Sequence, residues 1–207
     1  MAKSEYAKNL NYIQAEVYKN LSLSGYNKQG RTFNRPLDSG LIHVIDFQMG
    51  RRYLYGKFTI NLGVCIPEIY RIIWDKDQPK FVDHGDCEIN KRIGELLSPP
   101  EDLWWDLNKN PKKLSKKVLG LVEKRGLPFL NQFISHDDII QEWNEHGEII
   151  GLPPRAGLSI AILLANNGNH QQARSLLIQE YKLKKDEPYS EFVADIAQKL
   201  GISFGLV

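Results

Sequence analysis

The chain has 207 residues, of which 42% are hydrophobic and 25% charged, and its formal net charge is +2. This composition is that of a globular domain with at most a small extension, and the charge balance gives no reason to expect nucleic acid as a partner. Two cysteines exclude a disulfide framework, and no apolar run approaches the roughly 20 residues that span a membrane. Without a secretory signal, we expect a cytoplasmic protein with reduced thiols and no membrane contact.

The first predicted element is an amphipathic helix. Ser4 is a suitable N-cap, and Gly25 is a suitable C-terminal stop. Between them, apolar side chains recur every three or four residues, at Tyr6, Leu10, Ile13, Val17 and Leu21. We expect this helix to lie on a sheet.

Three strands are expected next, over 28–35, 41–49 and 53–66, and they form a meander. The third shows the strongest alternation, with Leu54 to Ile66 on the even positions. Strict alternation predicts one buried face and one face open to solvent or a partner. The odd positions that form the open face are Tyr53, Tyr55, Lys57, Thr59, Asn61, Gly63 and Cys65.

The remaining segments complete an α+β plan. Residues 67–85 are expected to be irregular, and 87–93 to form a short strand in a sheet of four to six strands. From Pro111 the period becomes helical, with an end at Gly126 and a new N-cap at Ser135. After Pro153-Pro154, helices are expected over 158–167, 170–183 and 189–200. We therefore predict an N-terminal helix packed on an antiparallel sheet over 1–130, followed by an all-helical cap over 131–207.

Four local strings carry a resemblance to a known family. They are Gly30-Arg-Thr-Phe-Asn-Arg35, Phe58-Thr-Ile-Asn-Leu-Gly63, Cys87 with Lys91-Arg-Ile-Gly94, and Asp102-Leu-Trp-Trp-Asp-Leu107. In this order they resemble a bacterial family known as domain of unknown function 4304, over about residues 6–130. The resemblance implies a soluble α+β domain without an assigned activity. By analogy of fold alone, small domains of this type are often toxin-neutralising immunity proteins.

Two groups of residues are candidates for partner binding. Tyr53, Tyr55 and Lys57 lie on the expected open face, where rigid aromatic side chains provide contact area. The side chains of the adjacent residues Trp104 and Trp105 point in different directions in either a helix or a strand. One ring is therefore expected in the core, and the other is a candidate partner contact.

A second hypothesis is a small-molecule or anion binder, or an enzyme. It uses five arginines expected near the sheet ends, together with His43, His84 or Cys87 in one concave pocket. The arginines are Arg31, Arg35, Arg51, Arg52 and Arg92. A third hypothesis is nucleic-acid binding by the lysines of 109–117, although a solvated helix face explains them more simply.

Metal binding and cysteine catalysis have weak support. His84 and Cys87 have a ligand-like spacing, but the chain has no Cys-x-x-Cys pair, so we expect neither a metal nor another cofactor. A nucleophilic Cys65 or Cys87 would need a histidine base held by a third group. His43 is instead expected to be a core histidine bonded to the backbone. The leading expectation is a non-enzymatic protein-interaction module, an immunity-type protein being one form of it.

Overall fold

The computed structural model describes residues 4–149, 151, 156–183 and 188–204. It confirms the predicted α+β architecture, in which an N-terminal helix and an antiparallel sheet are followed by helices. No helix in these described ranges is both long and apolar enough to cross a membrane.

The N-terminal helix α1 spans Glu5–Leu21 and follows the predicted pattern. Ser4 caps it by accepting a hydrogen bond from the Ala7 backbone N–H, and Leu10, Ile13, Val17 and Leu21 are buried. A short 3-10 turn leads from its end to Gly25, which has a φ of +84° that a side chain would disfavour.

The sheet is an antiparallel meander in the order β1-β2-β3-β4-β5, with β6 pairing with the start of β4. The predicted strand over 28–35 is divided into two strands by a tight hairpin at Gly30, where φ is +59°. In the part of the chain that the structure describes, the six strands are β1 Asn27–Gln29, β2 Thr32–Pro36, β3 Ile42–Met49, β4 Lys57–Cys65, β5 Ile89–Arg92 and β6 Trp105–Asp106.

The prediction that the third strand begins at Tyr53 is wrong. Residues 52–54 form a 3-10 turn, and Gly56 has a φ of +79°, so β4 begins only at Lys57. Alternating aromatic and aliphatic residues before Gly56 imitate a strand, although the chain is still reversing direction there. Tyr53 and Tyr55 therefore belong to a loop.

One face of the sheet, here called the helix face, carries the predicted apolar side chains. Phe33, Ile45, Phe47, Phe58, Ile60 and Leu62 are fully buried there. The Tyr18 ring of α1 lies 5.7 Å from the Phe33 ring, which shows that α1 covers this face as expected.

The opposite face, here called the polar face, was expected to be open but is largely covered. Thr59, Asn61 and Cys65 are buried. The segment 82–87 lies on this face, because the Asn34 side-chain amide exchanges two 2.8 Å hydrogen bonds with the Val82 backbone. Val44, Cys65, Val82 and Cys87 form a second, small apolar cluster beneath the segment.

The prediction that 67–85 is irregular is wrong for its first half. Helix α2 spans Pro67–Trp74, begins with proline in the first turn, and buries Ile69 and Tyr70. Proline is well tolerated in a first helical turn, so Pro67 marks a helix start here and not a loop.

The second helical region also continues past its predicted end. Helix α3, Pro111–Leu121, passes through a π-turn into α4, Leu127–Leu130. Gly126 has a helical φ of −66°, and a Cβ there would lie 3.4 Å from the Leu62 side chain, so this glycine permits close packing on the sheet.

Within the described ranges four helices follow, and Ser135 caps the first of them as predicted. They are α5 His136–His146, α6 Ala156–Asn166, α7 His170–Leu183 and α8 Pro188–Lys199. Buried apolar side chains of the sheet and of these helices form one continuous cluster. The division at residue 130 stays a prediction, and the expected boundary at Pro153-Pro154 lies outside the described residues.

We predict that Gly63→Ala destabilises the fold by about 1–3 kcal/mol, as overpacking does. A Cβ at Gly63 would lie 2.6 Å from Cys87 Sγ and 2.8 Å from Cys87 Cβ, both on the covered polar face. Urea unfolding followed by circular dichroism measures the change.

Gly120→Ala is the matched control, because a Cβ there meets no atom within 4 Å. We expect this helical substitution to leave stability unchanged or to raise it by up to about 1 kcal/mol. Equal stability of Gly63→Ala and the wild type would contradict the close approach of Cys87.

Candidate functional site

The most exposed aromatic surface is the loop between β3 and β4, residues 50–56, here called the tyrosine loop. The Tyr53 side chain is 87% exposed and that of Tyr55 is 64% exposed. Arg51 and Arg52 are exposed beside them, and Lys57 follows half-buried at the start of β4. The structure thus brings together three of the five predicted partner-binding residues.

Backbone contacts hold the tyrosine loop in one shape. The Gly50 N–H donates to the Lys57 carbonyl at 2.8 Å, and the Leu107 N–H donates to the Gly56 carbonyl at 2.8 Å. The Tyr55 ring packs edge-on against the Tyr6 ring of α1, with centroids 5.3 Å apart. The loop is therefore supported by both the sheet and the helix.

The tip of this loop contains a residue with strained backbone. Arg52 has a φ of +53°, a value uncommon for a residue with a side chain. A Cβ at Gly56 would lie 3.1 Å from the Tyr6 ring, so glycine also permits the contact between loop and helix.

The two tryptophan rings contact residues outside the tyrosine loop. Trp105 stacks on Phe58 with a centroid distance of 5.2 Å, so this ring packs against the core as expected for one of the pair. Trp104 is half-buried under the Arg92 guanidinium, 5.2 Å from its ring, and its Nε1–H donates to Asp102. A partner-binding role for either ring stays a prediction.

The five arginines are not assembled into one site. Arg31 precedes β2, at the same sheet end as Arg51 and Arg52. Arg35 lies near the other end of β2, within 3.4 Å of the Asn131 side chain. Arg92 is opposite Asn61 on the polar face, where its Nη1–H donates to Asp102 at 2.6 Å. Their anion-binding role stays a prediction.

Arg92 lines a polar cleft of about 330 Å³ where the covering segment ends. His84 lies in the same cleft, and its Nδ1 is 3.1 Å from the Asp46 carboxylate. The hydrogen bond to Asp46 raises the pKa of His84 above its usual value. Sequence reasoning missed Asp46, because only the folding of 82–87 onto the sheet brings it to His84.

His43 is on the helix face, away from this cleft. It is fully buried, and its Nε2 is 2.8 Å from the Phe133 carbonyl, which confirms it as a core histidine bonded to the backbone. Burial lowers its pKa. The structure therefore separates His43 from His84, which the second hypothesis placed in one pocket with the arginines.

A family model described as domain of unknown function, DUF4304, matches residues 17–132, more than half of the chain. The chain belongs to the DUF4304 family. No curated protein and no solved structure matches it. The matched residues run from within α1 to just beyond α4, so they include the whole sheet and the tyrosine loop.

The two cysteines of the DUF4304 domain do not have the properties of nucleophiles. Cys65 and Cys87 are both free and buried, and burial raises the pKa of each thiol. A nucleophilic or metal-binding cysteine needs its thiolate form, which this environment disfavours. Among the described residues, no three His, Cys, Asp or Glu side chains are grouped so that they could hold a metal ion.

The lysine-rich part of the DUF4304 domain forms an exposed helix face. Lys112, Lys113, Lys116 and Lys117 are all exposed on α3, opposite buried Leu114 and Val118. This is the solvated face that the amphipathic pattern predicts.

We predict that Asp46→Asn lowers the pKa of His84 towards its usual value near 6.5. The wild-type pKa is raised in the folded state, so protonated His84 stabilises the fold below about pH 6.5, and this contribution is lost as the pH rises through the folded pKa. NMR titration of the imidazole measures the shift. His43, on the opposite face, should keep its lowered pKa, and an unchanged His84 titration would contradict the pairing.

We also predict that native DUF4304 protein reacts with a disulfide reagent such as DTNB on the order of 100-fold more slowly than the unfolded chain, because both thiols must be exposed by opening of the fold. Absorbance counts the thiols released at pH 8 with and without urea. Two thiols are expected in urea. Rapid labelling of one native cysteine would contradict its burial.

Proposed function

We propose that this protein is a non-enzymatic protein-binding module whose contact surface is centred on the tyrosine loop. The observation that supports this most strongly is the exposure of Tyr53 (87%) and Tyr55 (64%) on a loop that the sheet and α1 hold in place. Neighbouring exposed apolar side chains, unlike singly scattered ones, often mark an interaction site, and Tyr53 and Tyr55 lie two residues apart on one loop.

The residue types of this loop suit a protein interface. Tyrosine and arginine are enriched among the residues that contribute most to binding, because they bury a large area and also form hydrogen bonds. A loop already held in one conformation loses less entropy when a partner binds.

The charges near the loop indicate an acidic partner surface. Arg51 and Arg52 are exposed and form no ion pair within the described part of the chain. Arg31 adds a positive charge at the same end of the sheet, and exposed charges of one sign speed the encounter with an oppositely charged partner.

Neutralisation of a toxin in a bacterial cytoplasm is one specific form of this proposal. The two free, buried cysteines suit a reducing compartment. An acidic toxin would bind the basic end of the sheet, and the identity of a captured partner decides between this form and other protein complexes.

We predict that replacing both loop tyrosines, Tyr53→Ala with Tyr55→Ala, weakens the partner complex at least about 30-fold, as loss of interface hot spots does. Wild type and variant are compared by affinity capture from host lysate. The captured protein is then purified, and its Kd for each form is measured by surface plasmon resonance at two salt concentrations.

Leu23→Ala is the matched control. Leu23 is 88% exposed, but it follows the C-terminal end of α1, whereas Tyr6 of the first turn contacts the loop. The 17 residues of α1 separate the two places by about 25 Å. We expect a Kd within about twofold of wild type. The proposal would be refuted if the double variant captured every partner that the wild-type protein captures.

A further inference from the structure

A second, larger cleft lies between α2, β5, α6 and α8, and the proposed protein contact uses none of its residues. Its volume is about 760 Å³, which is the size of a small-molecule site. Its apolar lining includes Ile73, Trp74, Leu158 and Phe192. Trp74 is 62% exposed, so a large aromatic ring is available to an occupant.

Acidic groups supply part of the polar lining of this cleft. Asp86 and Glu88 both line it, and Ser159 lines it from α6. The Glu88 carboxylate is held in place because its Oε2 accepts a 2.6 Å hydrogen bond from the Ile66 backbone N–H at the start of α2.

Glu88 is poised to change its protonation near neutral pH. Burial raises its pKa to about 8, and the nearby carboxylates of Glu68 and Asp86 add to this effect. The Cys65 and Cys87 thiols beside it stay neutral, because their own pKa values are raised.

Among the described residues that line the cleft, Lys91 is the cationic one. Lys91 of β5 forms a 2.9 Å ion pair with Glu95. From α6 and α8, the described lining residues are Leu158, Ser159 and Phe192, none of which is charged. The cleft therefore combines aromatic walls with a negative end, a combination that favours a cation over an anion.

We propose that this cleft binds a flat, largely apolar small molecule that carries a basic nitrogen. The ring of the molecule packs against Trp74 and Phe192, and its ammonium group pairs with Glu88 and Asp86. No covalent bond changes. Glu88 releases its proton to solvent as the cation binds, so binding and deprotonation are coupled.

Three probes with one ring system test the charge preference. They are 2-(1-naphthyl)ethylamine, the neutral 2-(1-naphthyl)ethanol and the anionic 1-naphthaleneacetate. Protein-observed NMR and isothermal titration calorimetry measure their binding to the full chain at pH 7 and pH 8. We expect the amine to bind saturably, at least about tenfold more tightly than the alcohol, and the acetate to bind most weakly.

The pH dependence gives the sharper result. Since Glu88 is about one-tenth ionised at pH 7 and about half ionised at pH 8, amine affinity should rise about fivefold between them. An aliphatic amine stays charged over this range. Calorimetry at pH 7 in two buffers of different ionisation enthalpy should show release of close to one proton.

Two cleft variants and one control variant connect these results to the cleft. Glu88→Gln keeps an acceptor for the Ile66 N–H, and it should weaken amine binding and abolish its pH dependence. Glu123→Gln, which changes an exposed acid outside the cleft, should preserve both. Phe192→Ala should weaken the amine and the alcohol alike.

The wild-type experiments are decisive even if Glu88→Gln fails to fold. Absence of saturable amine binding up to millimolar concentration overturns the proposal. Equal affinity for all three probes, preference for the acetate, or an amine affinity independent of pH overturns it as well. These results leave the tyrosine loop proposal unaffected, since that is tested with a protein partner.

Discussion

The structure depends on the close approach of Cys87 to Gly63 across the polar face of β4. Strand β4 lies in the middle of the sheet, so both of its faces must be covered for the fold to exclude water. The helices cover one face, and the segment 82–87 covers the other. Only a residue without a side chain at position 63 leaves space for the Cys87 side chain. The pairing of Asn34 with the Val82 backbone satisfies polar groups that would otherwise be buried alone.

The chemistry on the polar face follows from this one packing arrangement. Cys87 packs on Gly63. His84, which precedes Cys87 in the chain, then lies beside Asp46, and the following residue Glu88 lies beside the start of α2. The two clefts share Asn90 and Lys91 of β5 in their linings. The perturbed histidine and the perturbed carboxyl group thus arise from the same covering segment.

Local patterns in the sequence were sufficient for the elements that depend on local interactions. The Ser4 cap and the apolar spacing predict α1, and the alternation predicts the core side of β3 and β4. The exposure of Tyr53 and Tyr55 was predicted although their element was wrong, because it is expected for either an open strand face or a loop. The residues near Asp46 in the sequence do not predict its contact with His84. Those near Glu88 do not predict its hydrogen bond with the Ile66 backbone. Those contacts join residues 38 and 22 positions apart, and tertiary packing alone creates them.

The two proposed sites differ in how much of the chain each requires. The tyrosine loop and its supports at Lys57 and Leu107 lie entirely within the residues that match the family, apart from Tyr6. The large cleft has one wall from the matched residues, with Trp74 and Glu88, and another from α6 and α8, which lie beyond the match. A DUF4304 domain without these helices would keep the loop but would lose Leu158 and Phe192 from the cleft. The proposed protein contact therefore draws mainly on residues of the family domain, whereas the proposed small-molecule site also draws on the C-terminal helices.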